Sequence, residues 1–236
     1  AVAAPSPAAA HQQLTGTPYF ACVEDNATYV PLRGGNQAVS TTSYFQNYRG
    51  DVALPFPFRF YGNTTSEVRL NANGAMYFDQ SGFTTQYFPT ASRPLGNTRA
   101  PNQFIAPLWT YLEFGSASDG IYTDIVGRAP TRQFVAEWRN ARGGIRDQGG
   151  GTFKVVLHEG LGGRIDISYD TITNTGYSFY FMIGMEDVNG GSPVAFANPN
   201  LTNSGPCRGN FNDCSLSNYT GLSGKNIPLV QDPGVE

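Results

Sequence analysis

The chain has 236 residues and a formal charge of −3, with 14% charged and 40% hydrophobic side chains. That length can bury a sizeable core in one large all-β domain. With no run of Lys or Arg and no apolar stretch near the roughly 18 residues of a membrane span, the composition argues against nucleic-acid partners and a membrane span.

Residues 1–15 form an Ala- and Pro-rich arm, expected to lie extended against its own domain or a neighbouring copy. The start Ala1-Val-Ala-Ala-Pro reads as the product of signal-peptide processing, which places the protein outside the cell or on its surface. Residues 16–197 carry strand patterns separated by turns and read as one β-sandwich domain. Three apolar blocks lead it: Leu54 to Gly62 with Phe56, Phe58 and Phe60; Leu70 to Phe78 with an Asn73-Gly74 hairpin turn; and Phe104 to Leu112 with Trp109. Period-two alternation then recurs from Ile121 to Val126, Phe134 to Arg139, Phe153 to His158 and Arg164 to Tyr169, each predicting an apolar inner face and a polar, solvated outer face. The connection from Asn140 to Gly151 is expected to be mobile or glycine-shaped, and Tyr177 to Glu186 reads as a central strand. Residues 198–236 read as an irregular C-terminal cover. The expected fold class is all-β, a single, mostly antiparallel, jelly-roll-like β-sandwich with an extended N-terminal arm and an irregular C-terminal tail.

Reactive constellations are sparse. The two histidines are His11 and His158, and the alternation puts His158 on the polar face beside Lys154 as a surface residue. No Gly-x-Ser-x-Gly elbow precedes a helix, and His158-Glu159 lacks the second histidine of a zinc-protease motif. Glu137 and Asp166 share outward parity with Arg139, Lys154 and Arg164, which predicts cross-strand ion pairs rather than a glycosidase pair. No catalytic residue and no cofactor is assigned. A structural calcium could use the oxygens of Asp119-Gly120 or of Glu186 to Gly190, although neither matches the twelve-residue calcium loop.

Three cysteines are present. Cys207 and Cys214 enclose a short polar loop suited to a local disulfide, and Cys22 reads as a buried thiol, with pairing to one of them or to another chain as alternatives. Asn26, Asn63, Asn200 and Asn218 head glycosylation sequons, about as many as chance yields in so Asn-, Ser- and Thr-rich a chain. Tyr44, Phe45, Tyr48, Phe83, Tyr87 and Phe88 lie in polar stretches. They either seal the ends of the sandwich or form an aromatic contact surface for carbohydrate.

The three leading blocks, followed by Gly120-Ile-Tyr122, Phe134-Val-Ala-Glu137-Trp138-Arg-Asn140 and Thr152-Phe-Lys-Val-Val-Leu-His-Glu159, resemble the nidogen-like extracellular β-sandwich domain in its bacterial secreted and surface-protein versions, over roughly residues 51–190. In that family the apolar-Trp block is commonly followed by acidic residues, where this chain has Thr110-Tyr111-Leu112-Glu113. The resemblance implies a non-catalytic role in adhesion or matrix organisation and no catalytic residues to transfer. Two functional expectations follow. The first is an extracellular structural protein, a homo-oligomer or filament assembled through the N-terminal arm. The second is a carbohydrate-binding or adhesion module related to accessory domains of secreted hydrolases. An enzyme would need two carboxylates facing each other across a cleft.

Overall fold

In the computed structural model the residues described are 12–13, 18–21, 24, 26–40, 49–79, 98, 100, 102–143, 149–174, 182–190, 194–195 and 222–231. Among them the strands, in chain order, are β1 (Gln12–Gln13), β2 (Tyr19–Ala21), β3 (Asn36–Val39), β4 (Arg49–Phe60), β5 (Asn63–Asn71), β6 (Ala75–Tyr77), β7 (Phe104–Trp109), β8 (Leu112–Phe114), β9 (Gly120–Val126), β10 (Gln133–Gly143), β11 (Gly149–His158), β12 (Ile165–Asn174), β13 (Met182–Glu186), β14 (Val194–Ala195) and β15 (Asn226–Gln231). They form two antiparallel sheets and no α-helix, so the fold is a β-sandwich. The larger sheet runs β1-β2-β15-β12-β11-β10-β9-β3, with β8 joined to β10, and the smaller runs β14-β13-β7-β6-β5-β4.

The sequence blocks are the parts that lock the sheets together. Phe56, Phe58 and Phe60 of β4 point inward, and Phe78 stacks on Phe58 and Phe60 with ring centroids 5.8 and 4.2 Å apart. Tyr61 and Gly62 both have positive φ, 46° and 83°, and turn β4 into β5 as a two-residue hairpin of the type that suits the strand twist. At the next hairpin Gly74 is required twice over. Its φ is +78°, and a Cβ there would meet the Leu108 carbonyl oxygen at 2.0 Å. Asn73 reaches the same strand end, its carbonyl accepting from Thr110 N at 3.1 Å and its side chain from Leu112 N at 3.3 Å. The Asn-Gly turn and the Ile-Ala-Pro-Leu-Trp strand are therefore one interlocked unit.

Two buried hydrogen bonds cross between the sheets. Trp138 Nε1 donates to Asn71 O at 2.9 Å, and the Tyr169 hydroxyl donates to Pro107 O at 2.5 Å. Each gives a large ring both its burial and its polar partner, as a dry core requires.

Three sequence expectations change. The Asn140 to Gly151 connection is glycine-shaped, one of the two expected forms, but its described ends are strand, since β10 continues to Gly143 and β11 starts at Gly149. The glycines allow this close pairing, because a Cβ on Gly150 would meet Ala141 O at 2.3 Å and one on Gly151 would meet Thr171 O at 2.1 Å. The inward face of β9 ends early: Ile121 is buried while Ile125 is 51% exposed where the strand overhangs the core. Finally, part of the segment read as irregular cover is β15, inserted between β2 and β12. Pro228 is tolerated because residues 225, 227 and 229 face the β12 ladder, as the Tyr169 N to Lys225 O bond and the Ile167–Ile227 pairing define, which turns the missing N–H away from it.

Candidate functional site

The outer face of the larger sheet gathers most of the polar side chains that the alternation singled out. Register places Tyr122, Glu137, Lys154, Ser168 and Asn226 in one row across five strands, and Asp124, Val135, Val156, Asp166 and Pro228 in the next. Alternation alone predicts that this face meets water. Instead the extended segment at residues 27–33 lies over it as a strap, and Glu137 is fully buried.

A buried carboxylate must be paired and hydrogen-bonded to be tolerated, and two strap residues, Tyr29 and Leu32, bond Glu137 directly. Glu137 accepts from the Tyr29 hydroxyl, Leu32 N and Arg139 Nε, each at 2.9 Å. Arg139 also donates to Leu32 O at 2.8 Å and lies 4.0 Å over the Tyr122 ring. Lys154 donates to Val30 O at 2.6 Å and sits 4.6 Å over the Tyr29 ring. Burial pushes the Tyr29 hydroxyl well above its ordinary range, with the neighbouring Glu137 charge adding to the rise. Burial also lowers the Lys154 ammonium, partly offset by Glu137 and Asp166.

One row further, His158 is 9% exposed and so is not the surface histidine that parity suggested. Its Nε2 lies 2.8 Å from Asp166 Oδ2 and its Nδ1 3.4 Å from Gln133 Nε2. Arg164 donates to both oxygens of Asp166 at 3.0 and 3.2 Å. Burial alone would raise the Asp166 carboxyl, but the His158 and Arg164 hydrogen bonds outweigh it and hold the group below its usual range. The ion pairs here run along strands, as Glu137–Arg139 and Arg164–Asp166, rather than only across them as expected.

Between strap and sheet lies an open cavity of about 400 Å³. Its floor is low because Val156 and Ser168 are short beside Lys154, His158 and Asp166. Its rim is fixed by backbone bonds: Glu24 and Asn226 exchange N–H to O bonds at 2.8 and 3.0 Å, and Ala27 N donates to Gly224 O at 2.8 Å. Ser168, His158 and Asp166 all line it, the three residue types of a nucleophilic triad. They are not wired as one. The Ser168 hydroxyl donates to Asn226 Oδ1 at 2.7 Å, while the His158 nitrogen turned away from Asp166 faces Gln133. Glu137 and Asp166 also do not oppose each other, for Glu137 pairs with Lys154 and Asp166 with Val156.

The remaining predicted residues scatter. Asn26 is exposed in a turn at φ 55°, and Asn63 is exposed at the first position of β5. Cys22, Cys207, Cys214, Asn200, Asn218, Tyr44, Phe45, Tyr48, Phe83, Tyr87 and Phe88 lie outside the described residues. The oxygens considered for calcium have protein partners: Asp187 Oδ1 accepts from Asn189 N at 2.9 Å, and Asp119 Oδ1 from Asn140 Nδ2 at 2.9 Å. Among the described residues no group of three or more His, Cys, Asp or Glu side chains could hold a metal ion. Sequence reasoning missed the strap. The available signal was Tyr29-Val-Pro-Leu32, an apolar run with no strand partner and hence in need of a surface to cover.

The first and last described strands lie at one end of the larger sheet, on either side of β2. β15 pairs with β2 through Leu229–Ala21 and Gln231–Tyr19, and β1 pairs outside β2 through Gln12–Ala21 and Gln13–Phe20.

Neither a curated protein nor a solved structure matches the chain. The family model described as NIDO related matches residues 19–215, wider than the span that the sequence blocks mark and inclusive of Cys207 and Cys214. That family is in general non-enzymatic and typically extracellular. With the match covering most of the sequence, from β2 through the interlocked β4 to β7 blocks to beyond β14, the chain belongs to the NIDO-related, or nidogen-related, family.

Proposed function

We propose that this protein is a non-catalytic, extracellular structural protein that self-assembles at a cell surface or into fibres through its N-terminal arm. The observation that carries the reading is the edge of the larger sheet where β1 pairs outside β2 and, among the described residues, ends the strand order. A sheet edge offers unpaired backbone groups to an incoming strand, so a neighbour's arm can add there and repeat head to tail. Two of the other edges are less receptive. β4 carries Pro55 and Pro57, which lack donors, and its pairing with β5 is interrupted between Ala53 and Phe58. β3 packs at the corner against β4, where Gly50 admits the Ala38 carbonyl; a Cβ there would lie 2.6 Å from that oxygen. The cavity on the outer face supports the alternative, an adhesion or binding module.

Deletion of residues 1–14 tests the assembly. Electron micrographs and light scattering of the purified chain should show extended particles, and the deletion should reduce them to monomers with an unchanged far-ultraviolet spectrum. A particle-size distribution indifferent to the deletion overturns the reading.

A further inference from the structure

The cavity between strap and sheet is open to solvent, and the strap residues Ala27, Thr28 and Tyr29 form one of its walls. Its volume of about 400 Å³ lies within the roughly 300–1,000 Å³ of ligand pockets. Its two ends are fixed by unrelated sets of bonds: the Glu24–Asn226 and Ala27–Gly224 backbone bonds at one, and the Glu137, Arg139 and Lys154 contacts to Tyr29, Val30 and Leu32 at the other. A ligand entering it would therefore find a wall already ordered, with little entropy left to lose.

The chemistry of the wall selects the ligand class. Lys154 and Lys225 contribute positive charge, Glu24 and Asp166 negative, so a strongly charged ligand of either sign meets a like charge. An apolar ligand would strip water from Ser168, Asn226 and both carboxylates. What fits is a molecule with several neutral groups that both donate and accept. Lys154 uses one N–H on Val30 O and faces the Tyr29 ring at 4.6 Å, which leaves donor capacity for one ligand oxygen. Asp166, oriented by Arg164 and His158, and Glu24, oriented by Asn226 Nδ2 at 2.8 Å, present carboxylate lone pairs to ligand hydroxyls. Val156 and Ala27 give a small apolar patch for C–H groups.

We propose that this cavity binds a neutral saccharide unit of one or two rings, held by hydroxyl contacts to Lys154, Asp166 and Glu24 over the Val156 floor. This goes beyond the assembly reading and does not depend on it, since the arm and the cavity use different residues.

The test is saturation-transfer and titration NMR on the full chain with glucose, galactose, mannose, N-acetylglucosamine and their β-linked disaccharides at millimolar concentration. Glucuronate, glucosamine and inorganic phosphate are the charged comparators. At least one neutral sugar should bind, with affinity reduced ~10-fold or more by Val156→Phe, which fills the floor. Lys154→Met is the second variant, and removes the ammonium while keeping the stem; melting curves of both establish that they fold. Absence of binding by every neutral sugar, preference for phosphate or glucuronate, or binding unchanged in a folded variant each overturns the assignment.

Discussion

Each outer face of this sandwich is buried over part of its area, by opposite chemistries. On the smaller sheet, Ala75, Tyr77, Phe104, Ala106, Trp109 and Met182 form an apolar cluster separate from the main core, with Tyr77 and Trp109 rings 5.1 and 5.0 Å from Phe104. On the larger sheet the cover is held by a buried carboxylate, a guanidinium, an ammonium and a phenol. Apolar burial is non-directional and tolerates local adjustment, whereas a buried ionic lattice is stable only with all its partners in place. The first face adds stability. The second fixes the position of one segment, and with it the shape of a cavity.

The largest expected effect lies on the apolar side. Trp109→Ala should cost about 3–5 kcal/mol in urea unfolding, with little change in the amide exchange of residues 29–32. Should it release the strap as well, the two faces are not energetically separate. Glu137→Gln should cost less, about 1–3 kcal/mol, because the amide keeps one acceptor but turns its NH₂ group either toward Arg139 or toward the Tyr29 hydroxyl and Leu32 N. Its signature is local: faster hydrogen exchange at residues 29–32 with protection of β6 and β7 unchanged. A uniform loss of protection would contradict the lattice as a local device. The smallest effect is the acid response. The Arg132 hydrogen bonds hold the Glu159 carboxyl down to about 2, and Asp166 also lies below its usual range. Carboxylates with depressed folded values stabilise fully above their unfolded values, near 4, and lose that contribution as pH falls through the folded value. Stability should therefore decline from about pH 4 toward pH 2, and Asp166→Asn should flatten part of that limb. Trp109→Ala should leave its slope intact.

The strands were legible because their period is two and their turns carry glycine at positions such as Gly62 and Gly74, where few other residues fit. The Phe104 to Trp109 run is buried at all six positions because both faces of β7 are covered, which is why it lacks alternation. The candidate site was only half legible. Parity put Glu137, Lys154, His158 and Asp166 on one face, but not whether that face meets water, which depends on a segment over 100 residues away, as the Tyr29–Glu137 bond shows. β15 was missed because Pro228 is an unfavourable strand residue, and only the register with β12 shows where its lost donor points.

The position of β15 also dictates an order of events during synthesis. It sits between β2 and β12, so the larger sheet remains split until residues 226–231 have emerged, when all the other described strands have already been made. The β9 to β12 meander can form from near neighbours in sequence, but β2 must wait for a strand some 200 residues later. Until then Tyr19 has neither its strand partner Gln231 nor the closed edge around it, and the growing chain displays an unfinished sheet, the kind of surface that chaperones shield and that neighbouring copies can invade.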